Sequence, residues 1–121
     1  MPLSQLEQIE LAKAYVALSN AHALAFILPM LSDSAHYQSS SVGEFDGRDA
    51  IGEMMSEFFS RYPDVNWQVD SFWHGAKNRV EFNFLMTAHE VATGNRIERD
   101  GLEQIDFSED GFINRISVNV G

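Results

Sequence analysis

Two runs of alternating apolar and polar residues, separated by the dipeptide Asp110-Gly111, constrain this sequence most strongly. An Asp-Gly pair between alternating runs is a strong short-range signal for a β-hairpin. Residues 95–107 and 112–120 are therefore predicted to form two antiparallel strands. The apolar residues of the second run do not keep one parity, which predicts a bulge or burial on both faces.

Glu103 is the unusual residue of the first of these strands. It shares a strand face with Ile105 and Phe107, where a carboxylate is costly unless it is partnered or neutral. The pattern therefore predicts a carboxyl group turned toward apolar surroundings, and the role of that acid becomes the central question.

Composition limits the classes of function. The length of 121 residues predicts one domain, spanning 1–121. A net charge of -10 argues against nucleic acid and anionic membranes as partners. The chain has no cysteine and no apolar run near the roughly 20 residues that a membrane span needs. Its histidines lack metal-ligand spacing and no nucleotide fingerprint is present, so we expect a cytoplasmic protein with no metal and no cofactor.

Hydrophobic periodicity predicts helices followed by a long antiparallel meander. We expect helices at 4–19, 21–31 and 48–62, a turn at 32–34, and further strands at 35–41, 65–74 and 79–92. Pro29 should kink or end the second helix. This order predicts an α+β domain in which a curved, mainly antiparallel sheet wraps around three helices.

The third predicted helix carries a stripe of methionine and phenylalanine, including Met55, Phe58 and Phe59. Such a stripe is usual in a packed core, and it also lines adaptable apolar pockets. Sequence alone leaves both interpretations open. Tyr15 lies on the apolar stripe of the first helix, where a core tyrosine with a hydrogen-bonded hydroxyl is the simpler interpretation.

The order of four sequence pieces resembles the nuclear transport factor 2-like superfamily, which includes ketosteroid isomerases and SnoaL-like polyketide cyclases. The pieces are Tyr15-Val-Ala-Leu-Ser-Asn, Leu31-Ser-Asp-Ser-Ala-His-Tyr, Phe45-Asp-Gly-Arg-Asp-Ala-Ile, and the segment from Thr93-Gly-Asn through Gly101-Leu-Glu-Gln-Ile-Asp-Phe to Asp110-Gly-Phe-Ile. The resemblance covers nearly the whole chain. It implies a cone-shaped α+β barrel with three N-terminal helices in the concave face of the sheet, and a homodimer formed through the outer sheet face.

Ketosteroid isomerase gives the nearest functional comparison. In that family a tyrosine late in the first helix and a protonated acid on the penultimate strand hold the substrate oxygen, and Tyr15 and Glu103 fall at these positions. The general base falls at Gln38, whose amide has no useful basicity. His36, two residues away on the same strand face, is our candidate base, although a strand histidine satisfied by other partners is a competing interpretation.

The resemblance implies a pocket for a small apolar or aromatic molecule. We expect its lining to include Gln38, Met55, Phe58, Phe59, Trp67, Phe84, Met86 and Ile105. One hypothesis is an acid/base enzyme (isomerase, dehydratase or cyclase type) in which Tyr15 and Glu103 donate hydrogen bonds to a substrate carbonyl. The alternatives are a non-catalytic ligand-binding protein and a dimerising interaction module, because this fold serves all three roles.

Overall fold

The computed structural model describes residues 3–120. Its helices and strands follow one another in the order α1 (Gln5–Asn20), α2 (Leu24–Ile27), β1 (Leu31–Ser39), β2 (Gly43–Asp46), α3 (Arg48–Arg61), β3 (Asn66–Gln68), β4 (Phe72–His74), β5 (Arg79–His89), β6 (Arg96–Phe107) and β7 (Ile113–Val120). None of the helices in this range is long and apolar enough to cross a membrane.

The strands form one curved, unclosed sheet in the order β2-β1-β7-β6-β5-β3, with β4 also paired to β5. The β1–β7 pair is parallel and the other pairs are antiparallel. Helices cover the inner face of this sheet, and the buried apolar side chains lie between the two layers. The α+β architecture predicted from sequence is therefore confirmed.

The hairpin that dominates the sequence is present. β6 pairs antiparallel with β7, and the register shifts between Asp106 and Phe107. Gly111 occupies the connecting turn with φ 91°, a left-handed conformation that glycine adopts without steric cost. Ile113 and Ile116 are both buried despite their different parity, so the predicted irregularity is a bulge.

Helix α1 begins at a capping box. The backbone N–H of Glu7 donates to Ser4 Oγ at 3.1 Å, and the Ser4 N–H donates to Glu7 Oε1 at 2.9 Å. The buried face of the helix carries Gln8, Ala12, Tyr15 and Ser19, which recur at the spacing of one helical face. Tyr15 therefore points into the protein, as the apolar stripe predicts.

Gln8 ties α1 to the turn between β4 and β5. Its Nε2 donates to Asn78 Oδ1 at 3.1 Å, and its Oε1 accepts from His74 Nε2 at 2.8 Å. Because Gln8 is only 2% exposed, these two bonds satisfy an amide that would otherwise be costly to bury.

The second helix is much shorter than predicted. α2 covers Leu24–Ile27 and a 3₁₀ turn covers Leu28–Met30. α1 ends at Asn20, and His22 then adopts the left-handed region at φ 54°, so α2 starts later than predicted. Pro29 falls inside the 3₁₀ turn, where its fixed φ fits.

Two strand boundaries also differ from the prediction. No turn forms at 32–34, because β1 starts at Leu31 and includes these residues, although its register against β7 shifts between Leu31 and His36. The expected strand at 65–74 is divided into β3 and β4, which pair in succession with β5. Polar residues between the two short strands interrupt the pairing without changing the sheet order.

Candidate functional site

A small cavity lies between the helices and the inner face of the sheet. Its volume is about 60 Å³, and most of its lining is apolar. The lining side chains are Tyr15, Val16, Ser19, Tyr37, Met54, Met55, Phe58, Phe59, Trp67, Phe82, Glu103 and Val118. Three of them, Tyr15, Tyr37 and Glu103, are titratable, and each brings an O–H group when it is neutral.

Glu103 reaches the cavity from the middle of β6. Its direct neighbours are Phe82 on β5 and Val118 on β7, and it is only 6% exposed. Burial among these apolar side chains raises the pKa of Glu103 to about 8, and no hydrogen bond or cationic neighbour within residues 3–120 offsets that effect. At neutral pH the carboxyl group is therefore mostly protonated and can donate a hydrogen bond.

Tyr15 and Tyr37 face Glu103 from α1 and β1. Burial raises the pKa of the Tyr15 hydroxyl well above its usual value, Glu103 and Tyr37 raise it further, and a hydrogen bond with Ser19 opposes the shift. Burial also raises the pKa of Tyr37, with a smaller contribution from Glu103. Both phenols thus stay neutral, and both can donate to an acceptor in the cavity.

Aromatic side chains form one end of the cavity. Phe58 stacks with Trp67 at a centroid distance of 6.0 Å, and Phe59 meets the same indole edge-on at 6.5 Å. The His22 ring stacks on Phe59 at 4.4 Å. Flat faces of this kind suit an apolar or aromatic ligand.

Asn20 fixes the position of Trp67. The Asn20 side chain donates from Nδ2 to the Trp67 carbonyl at 2.9 Å and accepts from the Trp67 N–H at 2.7 Å. The amide thus pairs with β3 as another strand would, and it couples the end of α1 to the aromatic end of the cavity.

Six of the residues predicted for the site line this cavity: Tyr15, Met55, Phe58, Phe59, Trp67 and Glu103. Phe84, Met86 and Ile105 are buried on the same side of the sheet but do not line the cavity. They belong to the core that supports it. The expectation that they line the cavity is therefore corrected.

His36 and Gln38 lie on the outer face of the sheet, away from the cavity. His36 Nδ1 is 2.6 Å from Asp46 Oδ1 and its Nε2 is 3.3 Å from Glu44 Oε1. Gln38 Oε1 accepts from Arg115 Nη2 at 3.0 Å. The sequence interpretation placed both beside the pocket, and this placement is corrected because strand alternation sends them to the opposite side.

Tyr37 is a titratable residue of the cavity lining that the sequence interpretation missed. β1 turns Tyr37 to the cavity and buries Ala35 and Ser39 on the same side. The sequence contained a signal for this orientation, because Tyr37 is the only large apolar ring of this strand. The strand face that carries such a ring gains more from burial than the other face does. Phe82 and Val118 were missed as well, although the hairpin register places both beside Glu103.

Within residues 3–120 no group of three or more His, Asp or Glu side chains is arranged to hold a metal ion. The lining also contains no Lys, Arg or His. The lining therefore offers a set of neutral O–H donors in apolar surroundings. Hydrogen bonds to a developing negative charge are strongest in such surroundings.

A family model described as the SnoaL-like domain matches residues 12–116. The chain belongs to the SnoaL-like family. This family lies in the nuclear transport factor 2-like superfamily, in agreement with the resemblance seen in the sequence. No functionally curated protein matches this SnoaL-like chain.

Many solved structures share the fold. AclR from Streptomyces galilaeus, a candidate hydroxylase, is 22% identical with a TM-score of 0.81, covering 98% of this chain and 91% of its own. SalBIII, an epoxide hydrolase/cyclase-like enzyme of pyran ring formation in the polyether salinomycin, is 15% identical with a TM-score of 0.87, covering 98% and 93%. Rv0760c from Mycobacterium tuberculosis, solved with estradiol-17beta-hemisuccinate, is 11% identical with a TM-score of 0.81, covering 93% and 92%.

Proposed function

We propose that this SnoaL-like chain is an acid/base enzyme of the isomerase, dehydratase or cyclase type, acting on a small, largely apolar molecule that bears a carbonyl oxygen. Tyr15 and Glu103 donate hydrogen bonds to that oxygen. The observation that carries the proposal is a buried, neutral carboxyl group that faces an apolar cavity beside a phenol.

The chemistry follows from where charge develops. Removing a proton next to a carbonyl, or adding a nucleophile to it, places negative charge on the oxygen. Donors already oriented toward that oxygen stabilise the charge without having to reorganise, and exclusion of water strengthens the interaction. Glu103, which keeps its proton at neutral pH, supplies a donor without adding a negative charge to the cavity.

Glu103 can also carry the proton through a complete cycle. The cavity lining contains no histidine and no second carboxyl group. If Glu103 gives its proton to the substrate oxygen, the carboxylate that remains can accept a proton from another atom of the same substrate. The net reaction is then a rearrangement or ring closure that releases no other product. The name of SalBIII, a cyclase-like enzyme of the same fold, supports this reaction class.

A non-catalytic ligand-binding protein is the second candidate. The inward side chains of β1 are Ala35, Tyr37 and Ser39, and none of them is a base at neutral pH. A pocket that keeps its donors but has no separate base can bind a ligand without converting it.

Conversion of cyclohex-3-enone to cyclohex-2-enone tests the proposal, because the conjugated product absorbs ultraviolet light and the reaction moves one proton within one molecule. We expect Glu103→Gln and Tyr15→Phe each to lower kcat/KM roughly 100-fold or more, the size of effect seen when an oxyanion donor is removed. Tyr62→Phe is the matched control, since Tyr62 is buried outside the cavity lining. Equal turnover in all three variants would remove Tyr15 and Glu103 from the mechanism, whereas binding without conversion by the wild type would favour the second candidate.

A further inference from the structure

Tyr37 is anchored so that its hydroxyl group is the part left for a ligand. In the sheet it lies between Phe45 on β2 and Ile116 on β7. Its ring packs at 6.4 Å from the Phe45 ring, at an angle of 58°. The side chain lines the cavity, and within residues 3–120 no hydrogen bond stabilises its phenolate. A phenol held in this way has one unused donor in an apolar space.

We propose that Tyr37 contacts the ligand and determines its specificity: with Tyr15 and Glu103 it makes the cavity selective for a single-ring compound with a carbonyl oxygen. The inference deepens the proposed function and rests on it for the other two donors. Tyr37 adds a third donor from the opposite side, because Tyr15 approaches from α1 and Tyr37 from the sheet.

The balance of donors and charges explains the preference for a carbonyl group. A carbonyl oxygen has two lone pairs and brings no proton, so it can accept from two of the three O–H groups at a time without leaving a donor of its own unsatisfied. A carboxylate would carry its charge into a cavity whose lining offers no Lys, Arg or His, and an unpaired buried charge is costly.

The small size of the cavity favours one ring over a larger ligand. Its volume is about 60 Å³, smaller than the roughly 150 Å³ cavity that holds benzene in an engineered protein. Even a one-ring ligand therefore requires the lining side chains to move. Met54 and Met55 lie in the lining, and methionine adapts its shape at little cost.

Binding of three matched six-membered rings at pH 6.5 tests the inference by isothermal titration calorimetry. The probes are cyclohexanone, methylenecyclohexane, in which a CH₂ group replaces the oxygen, and cyclohexanecarboxylate. We expect cyclohexanone to bind most tightly. Tyr37→Phe should weaken cyclohexanone roughly 2- to 10-fold, as expected for one neutral hydrogen bond, and leave methylenecyclohexane unchanged. Tyr62→Phe should change neither affinity.

The outcomes separate this inference from the proposed function. If Tyr15→Phe and Glu103→Gln weaken cyclohexanone but Tyr37→Phe does not, the role of Tyr37 is refuted and the proposed function stands. If Tyr37→Phe weakens the ketone and the hydrocarbon equally, the residue acts through packing and the inference is also refuted. If the wild type binds cyclohexanone no better than methylenecyclohexane, both proposals fail. Near-ultraviolet circular dichroism of each variant confirms that the fold is intact.

Discussion

Keeping Glu103 neutral has an energetic consequence at the scale of the single residue. The side chain titrates at about 8 in the folded protein against a reference value of 4.5. Between these two pH values the folded chain holds a proton that the unfolded chain has released. The contribution of Glu103 to stability is therefore complete below pH 4.5 and is lost as the pH rises through the folded pKa.

Glu103→Gln should remove this pH dependence, because the amide has a similar shape and no charge. We expect the variant to gain stability over the wild type as the pH rises, reaching a few kcal/mol at pH 9. The gain should be much smaller at pH 5.5. Urea denaturation at both pH values measures the difference.

The exposed Glu53 on α3 provides the control for that experiment. Glu53→Gln changes the net charge by the same amount, so it separates burial from charge. A stability difference between wild type and Glu103→Gln that is the same at both pH values would contradict the assignment of a raised pKa.

Sequence identified Glu103 because a carboxyl group is conspicuous on an apolar strand face, whereas Tyr15 was singled out by the family resemblance. It placed His36 and Gln38 incorrectly because a period of two shows which residues share a face but not which face is inside. That choice depends on the neighbouring strands, and β1 packs beside β7, which is distant in sequence.

At the scale of the element, Gly101 shapes strand β6 close to the cavity. A Cβ atom at this position would collide with the backbone oxygen of Asn119 and would lie 2.8 Å from the Phe84 ring. Glycine therefore lets β7 and the aromatic ring approach the strand two residues before Glu103. An aromatic ring over a strand glycine is a known device for stabilising a curved sheet.

Gly101→Ala should destabilise the protein by about 3 kcal/mol, because the backbone oxygen cannot move aside as a flexible side chain can. Chemical denaturation measures the loss. Asp100→Ala is the control, since Asp100 is the exposed neighbour on the same strand and such surface changes usually stay within about 0.5 kcal/mol. A loss for Gly101→Ala no larger than for its neighbour would show that the sheet accommodates the methyl group.

Elements with strong local signals were predictable from sequence. The capping box of α1 and the Asp110-Gly111 turn are each determined by residues within a few positions of one another. The early end of α2 near Pro29 was predicted, but its late start was not, because it follows the left-handed conformation of His22. Apolar periodicity alone does not report such an interruption.

At the scale of the whole molecule, the outer face of the sheet is polar. Arg79 forms two hydrogen bonds with Asp106, at 2.6 and 3.1 Å. Arg115 donates to the neutral side chain of Gln38 and forms no ion pair within residues 3–120. Arg115 thus offers a charge that a second copy of this acidic chain can use.

We propose that two copies associate through this outer face, as the family resemblance implies. Arg115→Glu should weaken the dimer at least tenfold, because it replaces a central positive charge with a negative one. Light scattering after size-exclusion chromatography should give twice the mass of the 13.6 kDa chain for the wild type. It should give a lower mass for the variant at the same concentration.

Lys13→Glu makes the same change in net charge on the exposed side of α1, so it tests whether position matters. We expect this variant to stay dimeric. A monomeric wild type, or equal weakening by both substitutions, would refute association through the outer sheet face.

At this scale the family resemblance predicted a curved, mainly antiparallel sheet around three helices, but not the strand order, in which β1 lies beside the distant strand β7. The volume of the cavity could not be predicted. It depends on how far α1 and α3 stand from the sheet, and that spacing is the sum of many side-chain contacts.

The pairing of Asn20 with the backbone of Trp67 has a consequence for how a ligand enters the cavity. Two short hydrogen bonds lock one wall of the cavity to the sheet. Helix α3 also contributes the long, unbranched side chains of Met54 and Met55 to the lining. We therefore expect an incoming molecule to gain room from these flexible thioether side chains and not from the indole, whose backbone is held.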